Sequence, residues 1–225
     1  MKELILNIEQ WAEDRNIIKG AEPLDQAMKL FSEHGELSDH VGNNELDKVF
    51  DDVGDVFVVL TIIAKQCNLS IYNHLDIKLK HSGLKVDVAF LTSELATIAT
   101  EVYEWDDEST YFPEYALSYA VARLRSIAEQ VGLTLEYCVE QAYNDIQHRK
   151  GILYEGVFIK ESNPAYEEAL EKLGKYSNTQ AQERADKVSE LVEKVILTAT
   201  EKFVSEGGSM RDVLKGDITS KVSNK

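Results

Sequence analysis

Across residues 26–69, apolar side chains recur at helical spacing on both sides of one break, and carboxylates sit beside them in pairs. Ala27, Leu30, Phe31 and Leu37 form one stripe; Val49, Val53, Val56, Phe57 and Leu60 form another, with Gly42-Asn43-Asn44 between them. That pattern predicts two helices joined by a turn short enough to make them antiparallel neighbours. Glu33 and Glu36 share one helical face, and Asp52 and Asp55 repeat the spacing, with Asp51 adding a further acid. Packing the two stripes together carries these carboxylates towards one cleft. Crowded carboxylates repel unless protonated or neutralised, and hard divalent cations take oxygen ligands. Glu33, Glu36, Asp52 and Asp55 are therefore a candidate set for Mg²⁺, with Mn²⁺ as the alternative ion. Acidic residues at helical spacing are more often a solvated face. Against that, the second pair runs directly into VFVVLTIIA, which puts Asp55 near a core.

Composition narrows the choices. Hydrophobic content of 44% supports a sizeable core, and only 3 Pro and 12 Gly argue against a loop-rich β architecture. A net charge of −16 disfavours general binding to nucleic acid or to an anionic membrane surface. A small anionic substrate then needs cations as intermediaries, in agreement with the carboxylate cluster. Cys67 and Cys138 lie in apolar helical surroundings without metal-ligand spacing, and read as reduced thiols of a cytoplasmic protein. The opening stretch carries acids within its apolar residues, unlike a signal peptide, and the apolar run at 56–64 is too short to span a bilayer.

Elsewhere, residues 3–15 form an amphipathic pattern with Leu4, Ile5, Ile8, Trp11 and Ala12 on one face. Gly20-Ala21-Glu22-Pro23 marks a turn and a helix start. Lys29 precedes Glu33 by one turn and is open to two readings, a phosphate contact or a partner to that acid. Residues 70–83 are expected to form a short helix. Leu60, Ile63, Ala64, Gln66 and Leu69 reappear 64 residues later as Leu124, Ile127, Ala128, Gln130 and Leu133, an apparent internal duplication. Glu101 and Glu104 echo the first acidic pair, with Glu94 a rival for that alignment, whereas Ala116 and Tyr119 stand where Asp52 and Asp55 have their counterparts. Beyond Asn163-Pro164, residues 179–206 carry Ala185, Val188, Leu191, Val192, Val195 and Ile196 at helical spacing, a packing or oligomerisation seam.

Glu33-His34-Gly35-Glu36-Leu37 followed by Asp52-Val53-Gly54-Asp55-Val56 resembles the signature of the MazG-like, all-α nucleoside triphosphate pyrophosphohydrolases, ExxE followed a loop later by ExxD. Ser32 stands where that family often has another Glu, and Asp52 replaces the usual Glu. The resemblance implies Mg²⁺ on Glu33, Glu36, Asp52 and Asp55, with Glu33 or Glu36 assisting the attacking water. In the family, an aromatic residue on the first helix can line the nucleobase pocket, a role open to Trp11 beside the simpler one of core anchor. Asn144, Arg149-Lys150-Gly151 and Gly156-x-Phe158-x-Lys160 resemble the C-terminal segment of phage and prophage members. This implies that Asn144, Arg149, Lys150 and Lys160 face the substrate's phosphates or sugar. The ordinary alternative for the basic residues is a complement to a helix C-terminus.

The expectation is an all-α bundle: residues 1–83 as a metal-holding half, 84–163 as a degenerate half with the phosphate-contacting loop, and 164–225 as a helical extension. Fused in tandem, the halves share one composite site that hydrolyses a nucleoside triphosphate to the monophosphate and pyrophosphate. The tandem form is similar to the dimeric all-α dUTPases, which implies dUTP or another deoxynucleotide as substrate. The C-terminal helices offer a route to a homo-oligomer. The rival is a non-catalytic helical protein that binds a nucleotide or a partner.

Overall fold

The computed structural model describes residues 1–104 and 114–174, together with 187, 189, 190, 192, 194 and 198. The chain divides into two units, Met1–Ala169 and Leu170–Lys225. In the second unit the described residues are helical, and Lys194 pairs with Glu190 one turn earlier at 3.2 Å. Of the expected seam, Val192 is half exposed; Ala185, Val188, Leu191, Val195 and Ile196 lie outside the described residues.

The first unit is built of helices with one small antiparallel hairpin, in agreement with a predominantly helical expectation. Helix α1 spans Lys2–Asp14 and buries Ile5, Ile8 and Ala12, and a one-turn helix α2 follows at Ile17–Gly20. Helix α3, Pro23–Asn43, starts with Pro in its first turn and a reciprocal cap between Glu22 and Asp25. Asn44, with a left-handed backbone, ends it where the Gly-Asn-Asn break predicts.

Helix α4, Val49–Gln66, is the centre of the unit. Its near-continuous apolar sequence leaves Val53, Phe57, Leu60 and Ile63 fully buried, as a helix covered on all sides requires. It packs against α1, α3, the one-turn 3₁₀ helix Ile71–His74, α6 (Glu114–Gln130) and α7 (Leu135–Ile146). At Gly54 the α4 and α7 backbones approach so closely that a Cβ atom there would lie 2.4 Å from the Cys138 carbonyl oxygen. Only glycine permits this crossing, and it sits between Asp52 and Asp55 in the sequence. Helix α5, Leu84–Glu104, packs on α3 and α6, with His34 Nε2 and Thr92 Oγ1 2.7 Å apart across the first of these contacts. Residues on the two sides of the 83/84 boundary thus share one unit. Lys65 binds Glu9 at 3.0 Å and Glu13 at 3.5 Å, tying α1 to α4.

One expectation is corrected. Residues 70–83 form only the turn at Ile71–His74, and the chain then runs without helix to α5. Leu75, Ile77 and Leu79 are half-buried while Asp76, Lys78 and Lys80 are exposed, a period of two that a helix cannot satisfy. Arg125 donates to the carbonyls of Leu75 and Ile77, the latter at 2.9 Å, so these groups are satisfied without a helical ladder.

After α7, β1 (Gly151–Tyr154) pairs with β2 (Val157–Lys160), Gly151 opposite Lys160. Glu155 and Gly156 both take positive φ, the two-residue turn that matches strand twist. The Leu153 N–H donates to the Arg15 carbonyl at 2.8 Å and Asn16 Nδ2 donates to the Leu153 carbonyl at 2.9 Å, fastening the hairpin to the end of α1. Among the described residues no helix is long and apolar enough to cross a membrane.

Candidate active site

A cleft of about 340 Å³ opens between the first turns of α3, the outer face of α4 and the hairpin. Its floor is apolar: Val58, Val59 and Ile62 from α4, Ile146 from α7 and Leu153 from β1. Helix α3 contributes Asp25, Gln26, Lys29 and Glu33, one per turn along a single face apart from the adjacent pair at its start. Asp55 enters from α4. Trp11 stands at one side and Arg149 at the other, beside Gly156 and Phe158 of the hairpin.

Two of the four carboxylates expected together therefore meet in the cleft. Glu33 is buried and forms an ion pair with the exposed Lys29 one turn earlier, so both readings of that lysine remain compatible with its place in the cleft wall. Asp55 is half-buried, without a cation in direct contact among the described residues. Burial, and then the negative charges of Glu33 and Asp51, push its carboxyl up to about 7, while Arg149 and Lys29 pull the other way. Asp52 is buried beside it but turns towards His40, whose Nδ1 lies 2.8 Å from Asp52 Oδ2. Burial raises the Asp52 pKa, and the His40 hydrogen bond opposes that rise. The same bond raises the pKa of His40. Glu36 is exposed and does not line the cleft, although its charge acts on Asp52. Among the described residues, no group of three or more His, Cys, Asp or Glu side chains gathers closely enough to hold a metal ion.

The donor set nonetheless suits one hard cation. Mg²⁺ is ordinarily held through one or two carboxylates, with waters and substrate phosphates completing its shell. Glu33 and Asp55 offer oxygen ligands only, and burial and the Glu33 charge, which disfavour the ionised form of Asp55, would be offset by a bound cation.

Of the residues expected to contact substrate, Trp11, Lys29 and Arg149 line the cleft. Asn144 is exposed, accepts from Gln147 Nε2 at 2.9 Å, and lines neither this cleft nor its neighbour. Lys150 and Lys160 line an adjacent cavity instead. Arg149 is exposed and pairs with Asp145 one turn back.

Two contributors escaped the sequence reading. Arg15 donates from Nε to the Arg149 carbonyl at 2.8 Å, and from its terminal nitrogens to the carbonyls of Trp11 at 3.1 Å and Gln147 at 3.4 Å. Its guanidinium also lies 4.9 Å from the Trp11 ring centroid. One side chain thus ties the two walls of the cleft. His40 is the other; its position four residues after Glu36 was the available signal.

No family model matches the chain, and no solved structure matches it. Over 76 residues it is 47% identical to an uncharacterized 18.2 kDa protein in the rep-hol intergenic region of Haemophilus phage HP1. The match covers 34% of this chain and 43% of that protein, so the chain spans less than half of its relative's length. The phage origin of this relative agrees with the phage and prophage association read from the sequence.

Proposed function

We propose that the protein is a Mg²⁺-dependent, MazG-like nucleoside triphosphate pyrophosphohydrolase. The observation that carries the reading is the cleft itself. Glu33 and Asp55, whose carboxyl is pushed up to about 7, face an apolar floor, between an aromatic ring on one side and an arginine on the other. A nucleotide has the matching parts in the matching order: a flat base, a sugar and a chain of phosphates.

In this reading the apolar floor and Trp11 take the base, while Arg149 and Lys29 meet the phosphates. Glu33 and Asp55 would hold Mg²⁺, which when bound neutralises phosphate charge and polarises the α-phosphorus. Water attacks that phosphorus, and the α–β phosphoanhydride bond breaks. Pyrophosphate leaves with the bridging oxygen, and the water's proton passes to a carboxylate. Glu33 suits that last role better than Glu36, because it lines the cleft and Glu36 does not. Asp52, turned to His40, fixes the second acid of its helix out of the cleft and supplies background charge.

The tandem-repeat reading has its own support. Helices α3 and α5 are each 21 residues long, and α4 and α6 end at Gln66 and Gln130. Each is followed two residues later by a left-handed residue, Asn68 or Gly132. Leu69 then donates to the Ala64 carbonyl at 2.8 Å, and Leu133 to the Ala128 carbonyl at 3.0 Å. Equivalent caps at equivalent positions fit two copies of one helix pair, of which the first alone carries both acidic pairs.

A non-catalytic nucleotide-binding or partner-binding protein is the second reading. The lack of a three-ligand cluster among the described residues favours it. Incubation with each NTP and dNTP and Mg²⁺, followed by ³¹P NMR of the products, separates the two. The proposal expects monophosphate and pyrophosphate from at least one substrate; binding without turnover leaves the second reading.

A further inference from the structure

Beside the cleft lies a separate cavity of about 520 Å³, lined by residues 148–150 and 160–162 together with Phe158. It joins the end of α7 to the far strand of the hairpin, whose pairing of Gly151 with Lys160 fixes Lys150 and Lys160 beside one another in the chain fold. The Glu161 N–H donates to the Lys150 carbonyl at 3.2 Å and closes the end of the pairing. Three permanent cations line this cavity in a chain whose net charge is −16; Arg149 pairs with Asp145 and Lys150 with Glu161, so Lys160 leaves the cavity with a net positive charge. Lys150 lies 3.3 Å from Glu161, whereas the side chain of Lys160 has no ion-pair partner among the described residues. Phe158 and Arg149 line both cavities and form the partition between them. The partition is built in: a Cβ at Gly151 would lie 2.5 Å from the Phe158 ring, so only glycine lets the ring rest where it does.

We propose that this second cavity is an oligophosphate site that holds inorganic pyrophosphate while the cleft holds the nucleoside monophosphate. The proposal rests on the pyrophosphohydrolase reading for its choice of anion. Its physical basis is independent of that reading: a local excess of cations around a concavity, in a protein that otherwise repels anions. Pyrophosphate carries more charge than any single carboxylate on the rim and presents two phosphate groups, one for Arg149 at the partition and one for Lys150 and Lys160. Arg149, shared by both cavities, meets the scissile end of the phosphate chain on either side of bond cleavage.

Calorimetric titration of the full chain with sodium pyrophosphate, without Mg²⁺, tests the site, with sulfate as the competing simple anion. One pyrophosphate per chain should bind, at least tenfold more tightly than sulfate. The double variant Lys150→Ala, Lys160→Ala should weaken it tenfold or more, with its circular dichroism unchanged, and Asp55→Asn should alter it less than twofold. Prior saturation with the nucleoside monophosphate should leave one pyrophosphate site. Affinity equal to that for sulfate, indifference to the two lysines, or displacement by the monophosphate would each overturn the proposal. Pyrophosphate binding without nucleotide hydrolysis would sink the enzymatic reading and leave the site standing; hydrolysis without such binding would do the reverse.

Discussion

Asp55 on α4 and Asp87 on α5 are both aspartates held among packed helices of the same unit, yet their surroundings are opposite. Asp87 is fully buried and fully answered. Arg123 reaches it at 2.8 Å, Ser126 and Gln130 each at 2.7 Å, and the Ser82 N–H at 3.4 Å. Burial alone would raise its pKa, but these four donors outweigh burial and hold it below the ordinary 3.8. Asp55 is less buried, has no donor of that quality, and faces Glu33. A chain able to build the Asp87 network has the means to neutralise an acid. Leaving Asp55 half-buried against Glu33 without such donors is the mark of a site that waits for something from outside.

The comparison breaks first at Asp87. Asp87→Asn leaves the Arg123 guanidinium, itself mostly buried, with only Glu94 at 3.6 Å. Loss of one member of a buried pair costs about 3–5 kcal/mol, so thermal or urea unfolding should show a deficit of that size at neutral pH. Because the folded pKa of Asp87 is depressed, its contribution is present above 3.8 and fades as pH falls below that value. The deficit should therefore shrink in acid.

Asp55→Asn should act with the opposite sign. The folded pKa near 7 lies above the unfolded 3.8, so the folded chain holds the extra proton and loses stability as pH rises through about 7. The variant, which has no charge to bury, should be more stable than the parent by about 1–3 kcal/mol at pH 8, after discounting for solvent. The two should converge near pH 4. Added Mg²⁺ should narrow the gap at pH 8 by stabilising the parent alone.

Arg149→Ala should act on turnover rather than on stability. A charged hydrogen bond to phosphate contributes roughly 1.5–3 kcal/mol, which predicts a fall in kcat/KM of about tenfold or more. Steady-state kinetics on the best substrate measure it, and unchanged values would return Arg149 to the role of a helix-end cation paired with Asp145.

Much of this contrast was legible in residues 26–69. The two apolar stripes, the Asn44 break and the closeness of Asp55 to the core follow from helical periodicity, and α3 and α4 lie where that periodicity puts them. What periodicity could not resolve is direction within a pair. Residues three apart on a helix point about 60° from one another, so Asp55 reaches the cleft while Asp52 turns to His40, and Glu33 faces inward while Glu36 stays in solvent. The same limit applied after α7: Arg149 and Lys150 are adjacent and share one cavity, yet only Arg149 also reaches the cleft. The hairpin was missed because four-residue strands give little pattern, and Glu155 in a left-handed turn is a weak signal beside Asn or Asp. Residues 75–80 did carry a period of two, but a run this short, set between helical patterns, is a weak signal beside them. Asp87 was not singled out because its answering groups, Arg123, Ser126 and Gln130, come from a helix more than thirty residues away.

The account stands most directly on one measurement: Mg²⁺-dependent pyrophosphate release by Asp55→Asn relative to the parent chain at pH 8, where the variant is the more stable of the two. A loss of a hundredfold or more, with the fold intact, is what the account predicts, because the charge that destabilises the cleft is the charge that recruits the cation. Full activity in the variant, or no pyrophosphate from the parent with any NTP or dNTP, would contradict it.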